Sequence, residues 1–159
     1  MFRSVTILVG TTTGNAQYCA EEAAFRLKAA GSEVNIRQMD DLDATIFADG
    51  GLYLVCISTY GQGDVPDNAR GLYQSLVTDK PTLGGVRYGL ISLGDRSHAQ
   101  TFGFAGRRFD TQLTKLGAQR VGEVLTHDAS SGTMPEEATA EWIAPWFALA
   151  AVEGDATAA

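Results

Sequence analysis

Three stretches of this 159-residue chain carry residues whose types and spacing could do chemistry. The first is GTTTGNA (Gly10 to Ala16), which sets three hydroxyls and a glycine directly ahead of a helical pattern. Unpaired N–H groups and the helix dipole at such a position favour an anion. No lysine follows the glycine, so the stretch is not a nucleotide P-loop, and it is not the G-x-G-x-x-G of a dinucleotide site. A lone phosphate monoester held by Thr11, Thr13, Asn15 and backbone amides fits it best. The competing use is plain helix capping, which threonine performs routinely.

The second stretch is STYGQGDVPDN (Ser58 to Asn68). A connecting turn needs glycine, proline and aspartate for its dihedrals, but it does not need Tyr60. A rigid aromatic there can stack on a planar ring. Gly61 and Gly63 let the backbone come close to such a ring. Asp64 and Asp67 edge the site or cap the next helix, and for Asp67 the cap is the stronger reading. The third stretch, LGDRSHAQTFG (Leu93 to Gly103), brings Asp95, His98 and Phe102 as an opposing wall. A phosphate pocket, two planar walls and glycines for close approach describe a flat ring on a short phosphorylated stem. That ligand is FMN.

These stretches need elements to position them. Short apolar segments recur at Val5 to Gly10, Glu33 to Gln38, Leu52 to Ser58, Arg87 to Gly94 and Gln119 to Leu125. The first, third and fourth are nearly continuously apolar, as strands covered on both faces are. The second and fifth carry charge and alternate, as edge strands do. Helical patterns lie between them: Gly14 to Ala30 closed by Gly31, Ala69 to Val77, Thr101 to Leu116 closed by Gly117, and a last one from Pro135 that Pro145 should kink or divide. Asp40 to Gly51 is ambiguous, with room for one short helix. Alternating strands and helices predict an α/β fold, a doubly wound five-stranded parallel sheet with helices on both faces. The expected order is 2-1-3-4-5, whose reversal between the first and third strands is where ligands bind.

The remaining composition sets bounds. Residues 1–150 read as one domain and 151–159 as a frayed, disordered tail. A net charge of -7 argues against nucleic acid and suits an acidic carrier docking on a basic partner. Cys19 and Cys56 support neither a disulfide framework nor a metal site. No apolar run is long enough to span a membrane and no leader pattern opens the chain, so the expectation is a cytoplasmic protein.

The same three motifs resemble the flavodoxin family, in order and across about Val5 to Leu149. GTTTGNA is similar to that family's phosphate loop, and STYGQGDVPDNA to the second flavin loop of MioC-type short-chain flavodoxins and of the FMN domains of diflavin reductases. LGDRSHAQTFGFAGRRFD is similar to the third loop and its helix. The flavodoxin-like order 2-1-3-4-5 is part of what the resemblance implies. By position it implies phosphate binding by Thr11, Thr12, Thr13, Gly14, Asn15 and Ala16. It places Thr59, Tyr60, Gly61 and Gly63 on one face of the isoalloxazine. Gly94, Asp95 and His98 lie on the other, with Phe102 behind the loop and Asp128 near the ring. His98 stands where the family stacks a tyrosine, and its spacing to Phe102 is one residue longer. The ring covering the second face is therefore open: His98 stacks, points to solvent, or leaves the flavin exposed.

The family resemblance implies a monomeric electron carrier, not an enzyme, that shuttles single electrons through a neutral semiquinone. Its donor would be an NAD(P)H-dependent flavodoxin or ferredoxin reductase and its acceptor a redox enzyme that no residue names. The runner-up is an NAD(P)H-dependent flavin oxidoreductase of the quinone-reductase type on the same fold. A flavin-free receiver module is disfavoured, because threonines stand where receivers carry acids and Thr126 and His127 where they carry a lysine.

Overall fold

A computed structural model describes residues 4–11, 14–58, 66–94 and 103–158, with side chains through Ala151. The chain alternates as its periodicity predicts: β1 (Ser4–Gly10), α1 (Asn15–Ala29), β2 (Glu33–Gln38), β3 (Gly51–Ser58), α2 (Arg70–Asp79), β4 (Val86–Gly94), α3 (Phe104–Lys115), β5 (Gln119–Arg120), β6 (Leu125–Asp128) and α4 (Pro135–Ala158). The sheet runs β2-β1-β3-β4-β5, with β6 also paired to β4, and every pairing is parallel. This is the 2-1-3-4-5 order, with charged β2 at an edge as its alternation requires.

Side-chain alternation divides the core into two layers. Val5, Ile7 and Val9 of β1, Leu54 and Cys56 of β3, and Ile91 and Leu93 of β4 pack with α1 and α4. Leu8, Val55, Ile57 and Leu90 face the other way and pack with Leu72, Leu76, Phe109 and Leu113 of α2 and α3. β3 is buried along nearly its whole length. Its continuous apolar run is the price of being covered on both faces.

The glycines expected to close helices do so. After α1, Gly31 takes φ 97° and donates to the Lys28 carbonyl while Ser32 donates to Leu27. Gly117 repeats this after α3, donating to Thr114 while Ala118 donates to Leu113. Both are Schellman motifs, which need a left-handed residue at that point.

Several expectations change. The fifth strand, read as unbroken from Gln119 to Leu125, is two pieces. Gly122 between them adopts φ 69°, and the Arg120 side chain donates to its carbonyl at 3.1 Å. A left-handed residue turns the chain out of the ladder there. The ambiguous segment after β2 is two 3-10 turns, Met39–Asp41 and Ala44–Phe47. Pro145 lies inside α4 without dividing it. The helix is assigned to Ala158. Asp67 does not cap α2: that helix has no side-chain cap, and Asp67 is exposed in an ion pair with Arg70 at 3.4 Å. Among the described residues no helix is long and apolar enough to cross a membrane.

Candidate functional site

Strand register brings the candidate segments to one edge. Gly10 pairs with Ile57, Ser58 with Leu93, and Gly94 with Asp128, so β1, β3, β4 and β6 all end together at the carboxyl end of the sheet. β1 and β3 are adjacent strands where the winding reverses, the position that open α/β sheets use for ligands.

The turn after β1 is built around Thr11. Its N–H donates to Asn68 Oδ1 at 2.9 Å. Its hydroxyl oxygen accepts from the Gly14 N–H at 3.1 Å and from the Ser58 hydroxyl at 3.2 Å. A hydroxyl has two acceptor positions and one proton. With both acceptor positions used, any further bond this hydroxyl makes it makes as a donor. The threonine therefore folds its own loop while standing at the candidate anion site, so the capping and binding readings are not exclusive.

Gly14 stands at the N-cap of α1 with φ 91° and no side chain to cap the helix. Helical bonding begins with Gln17 donating to the Gly14 carbonyl at 3.1 Å. The amides of Asn15 and Ala16 thus precede the first intrahelical bond, in the position where a helix offers N–H groups to an anion. Asn15 is exposed, whereas Ala16 is fully buried in the core, so Ala16 can serve only through its amide. Gly10 has no space for a side chain. A Cβ there would stand 2.8 Å from Met39 Sδ and 3.0 Å from Ala69 Cβ. The 3-10 turn Asp67–Ala69 is packed directly on the start of the loop.

A phosphate group fits this donor set: a positioned threonine hydroxyl, helix-terminal amides and a left-handed glycine that turns the chain. Sequence reasoning missed Ser58 and Asn68. Ser58 was passed over as the last residue of an apolar strand. Asn68 sits 57 residues from Thr11, and nothing local marks so distant a contact.

At the far end of the edge, Gly94 closes β4 opposite Asp128. The Asp128 carboxylate accepts from the Ser130 N–H at 2.9 Å and from its hydroxyl at 2.7 Å, capping a short 3-10 turn. His127 is buried beside it, with Nε2 2.9 Å from the Thr133 carbonyl oxygen. Thr12, Thr13, Thr59, Tyr60, Gly61, Gly63, Asp64, Asp95, His98 and Phe102 lie outside the described residues. Among the described residues no cluster of His, Cys, Asp and Glu could hold a metal ion.

Comparison with known proteins agrees with this fold. A family model, Flavodoxin, matches residues 7–142. Flavodoxin YqcA of Escherichia coli (strain K12) is 38% identical over 148 residues, spanning 91% of this chain and 97% of that protein. Protein MioC of the same strain is 35% identical over 148 residues with the same coverage, 91% and 97%. The MioC type is therefore not singled out from the YqcA type. Among solved structures, an engineered variant of the flavodoxin from Pseudomonas aeruginosa aligns with a TM-score of 0.80 and 31% identity, covering 92% of this chain and 97% of that one.

Proposed function

We propose a specific role from one premise: the chain belongs to the flavodoxin family, of short-chain type. Its general function is accordingly flavodoxin-type electron transfer with FMN, as a carrier and not as a catalyst. The finer reading is that the protein shuttles single electrons through a neutral semiquinone, from an NAD(P)H-dependent reductase to an acceptor redox enzyme. What supports the FMN site on which it rests is the arrangement around Thr11 and the α1 N-terminus at the reversal point of the sheet.

Thr11, Gly14, Asn15 and Ala16 hold the phosphate in this reading, together with Thr12 and Thr13. Thr59, Tyr60, Gly61 and Gly63 lie against one face of the ring, with Gly94, Asp95, His98, Phe102 and Asp128 toward the other. FMN supplies the redox chemistry. The chain supplies an anion cradle, planar walls, and an excess of carboxylates that disfavours added negative charge on the ring. The net charge of -7 suits docking on basic partner surfaces.

The test is the visible spectrum of the purified protein during anaerobic titration with dithionite. Bound FMN passing through a long-wavelength neutral semiquinone supports the carrier. A protein that cannot take up FMN overturns the reading, and reduction in a single two-electron step moves it to the oxidoreductase. In the same titration Gly61→Ala is expected to lower the maximal semiquinone yield. Glycine alone turns its peptide over at little cost to present a carbonyl to the reduced ring. An unchanged yield sinks that role for Gly61.

A further inference from the structure

We propose that Asn68 is a positioning residue for the phosphate-binding turn, a role that rests on the FMN reading above. Its amide spans the end of β1. Oδ1 accepts from the Thr11 N–H at 2.9 Å, and Nδ2 donates to the Val9 carbonyl at 3.4 Å. Taking the N–H of one residue and donating to the carbonyl two positions earlier is what a residue of a neighbouring strand does in a parallel ladder. β2 ends its pairing with β1 at Val9↔Gln38, and β3 ends its own at Gly10↔Ile57. At the point where the backbone ladder runs out, the Asn68 side chain supplies one more rung.

Two further contacts fix where that rung lies. Pro66 enters the turn with φ -54° and ψ 150°, and Ala69 N–H donates to the Pro66 carbonyl at 2.8 Å. Ala69 is fully buried against Gly10, whose missing side chain leaves the room for it. Backbone packing thus sets the distance and the amide sets the direction. Thr11 is held with its N–H bonded to Asn68 and its hydroxyl oxygen placed to receive Gly14 and Ser58. Asn68 therefore acts on phosphate through Thr11 and Gly14, and its own polar atoms face the backbone.

Asparagine is needed because both halves of its amide are used. Aspartate keeps the acceptor for Thr11 but loses the donor to Val9, and it sets a negative charge beside an anion site. Alanine loses both bonds.

The experiment compares FMN with riboflavin, which lacks the phosphate, as ligands of the apoprotein, using wild type, Asn68→Ala and Asn68→Asp. Asn68→Ala is expected to weaken FMN about tenfold, the effect of losing roughly one well-made hydrogen bond, and to leave riboflavin affinity within about twofold. Asn68→Asp is expected to weaken FMN further, and the excess should shrink as salt is raised. Amide hydrogen exchange in the apoprotein should show Thr11 protected in wild type and fast in Asn68→Ala. If both variants lose FMN and riboflavin in parallel, Asn68 merely supports the fold and the proposal is overturned. A Thr11 amide that stays protected in Asn68→Ala overturns it as well. A wild-type protein that binds neither flavin overturns the FMN reading and this role together, which separates that failure from the others.

Discussion

Gly89→Ala is expected to destabilise the protein by about 3 kcal/mol, the upper range for forcing one methyl into a packed core. Gly89 lies within β4 in register with Leu54, on the face covered by α4. An added Cβ would stand 2.4 Å from Trp146 Cε2 and Nε1 and 2.7 Å from Cζ2. The indole therefore occupies the space that a side chain would fill. It has little freedom to retreat. Trp146 is buried, stacks on Trp142 with ring centroids 5.4 Å apart, and lies near Gly122. Urea unfolding of the apoprotein should show a lower midpoint with an unchanged slope. Apoprotein is the right sample because bound cofactor would add its own stabilisation. The double variant Gly89→Ala with Trp146→Phe should be less destabilised than the sum of its parts, because the smaller ring vacates the contested space. Strict additivity would show that the clash is relieved elsewhere and that this contact does not limit the core.

The helix that carries this aromatic also packs where the fifth strand divides. In QRVGEVL the alternation is good enough to predict one strand, and Gly122 passes for a small interior residue. In the fold Gly122 takes φ 69°, and a Cβ on it would stand 3.2 Å from Leu149 Cδ2. The strand breaks where α4 delivers bulky side chains, and that delivery is set by residues some 25 positions later. Local grammar carried further where the physics is local. Gly31 and Gly117 were legible as helix closures because a Schellman motif involves only neighbours in sequence. The alternating charge of β2 marked an edge, and the apolar run of β3 marked a strand covered on both faces.

Within the candidate site the division is the same. Thr11 and Gly14 stand out in the sequence because hydroxyls and a glycine ahead of a helix either cap it or offer an anion site. Ser58 and Asn68 do not, since their task depends on which strands are neighbours and not on the residues beside them. For Asp67 the sequence favours a cap over a place at the edge of the site, yet the backbone turn from Pro66 already leads into α2, and the carboxylate pairs with Arg70.

Raising the pH above about 9 is expected to erode stability well before general alkaline denaturation. Burial pushes the Cys19 thiol up from 9.0 to about 11, opposed by a hydrogen bond with Thr139 and reinforced by the negative charge of Glu136. Burial likewise raises fully buried Cys56, with Cys19 adding to the effect. Tyr88 is raised by burial, by its hydrogen bond to Asp110 and by that carboxylate's charge, while Arg120 acts the other way. All three groups stay protonated in the fold at pH values where the unfolded chain has released their protons. The unfolded state then binds fewer protons, so stability falls with rising pH. The contribution is intact below pH 9 and is lost as pH rises through the folded values, for Cys19 up to about 11. A two-unit shift corresponds to about 3 kcal/mol for Cys19 alone. Urea midpoints of the apoprotein between pH 7 and pH 11 should therefore decline from about pH 9. Cys19→Ala should flatten the first part of that decline, and Tyr88→Phe the part above pH 10, where a free phenol ionises. If both variants keep the wild-type slope, the loss comes from other groups and this assignment fails. The same burial keeps the thiols protonated and unreactive at neutral pH, so neither competes as a nucleophile or redox centre with a bound flavin.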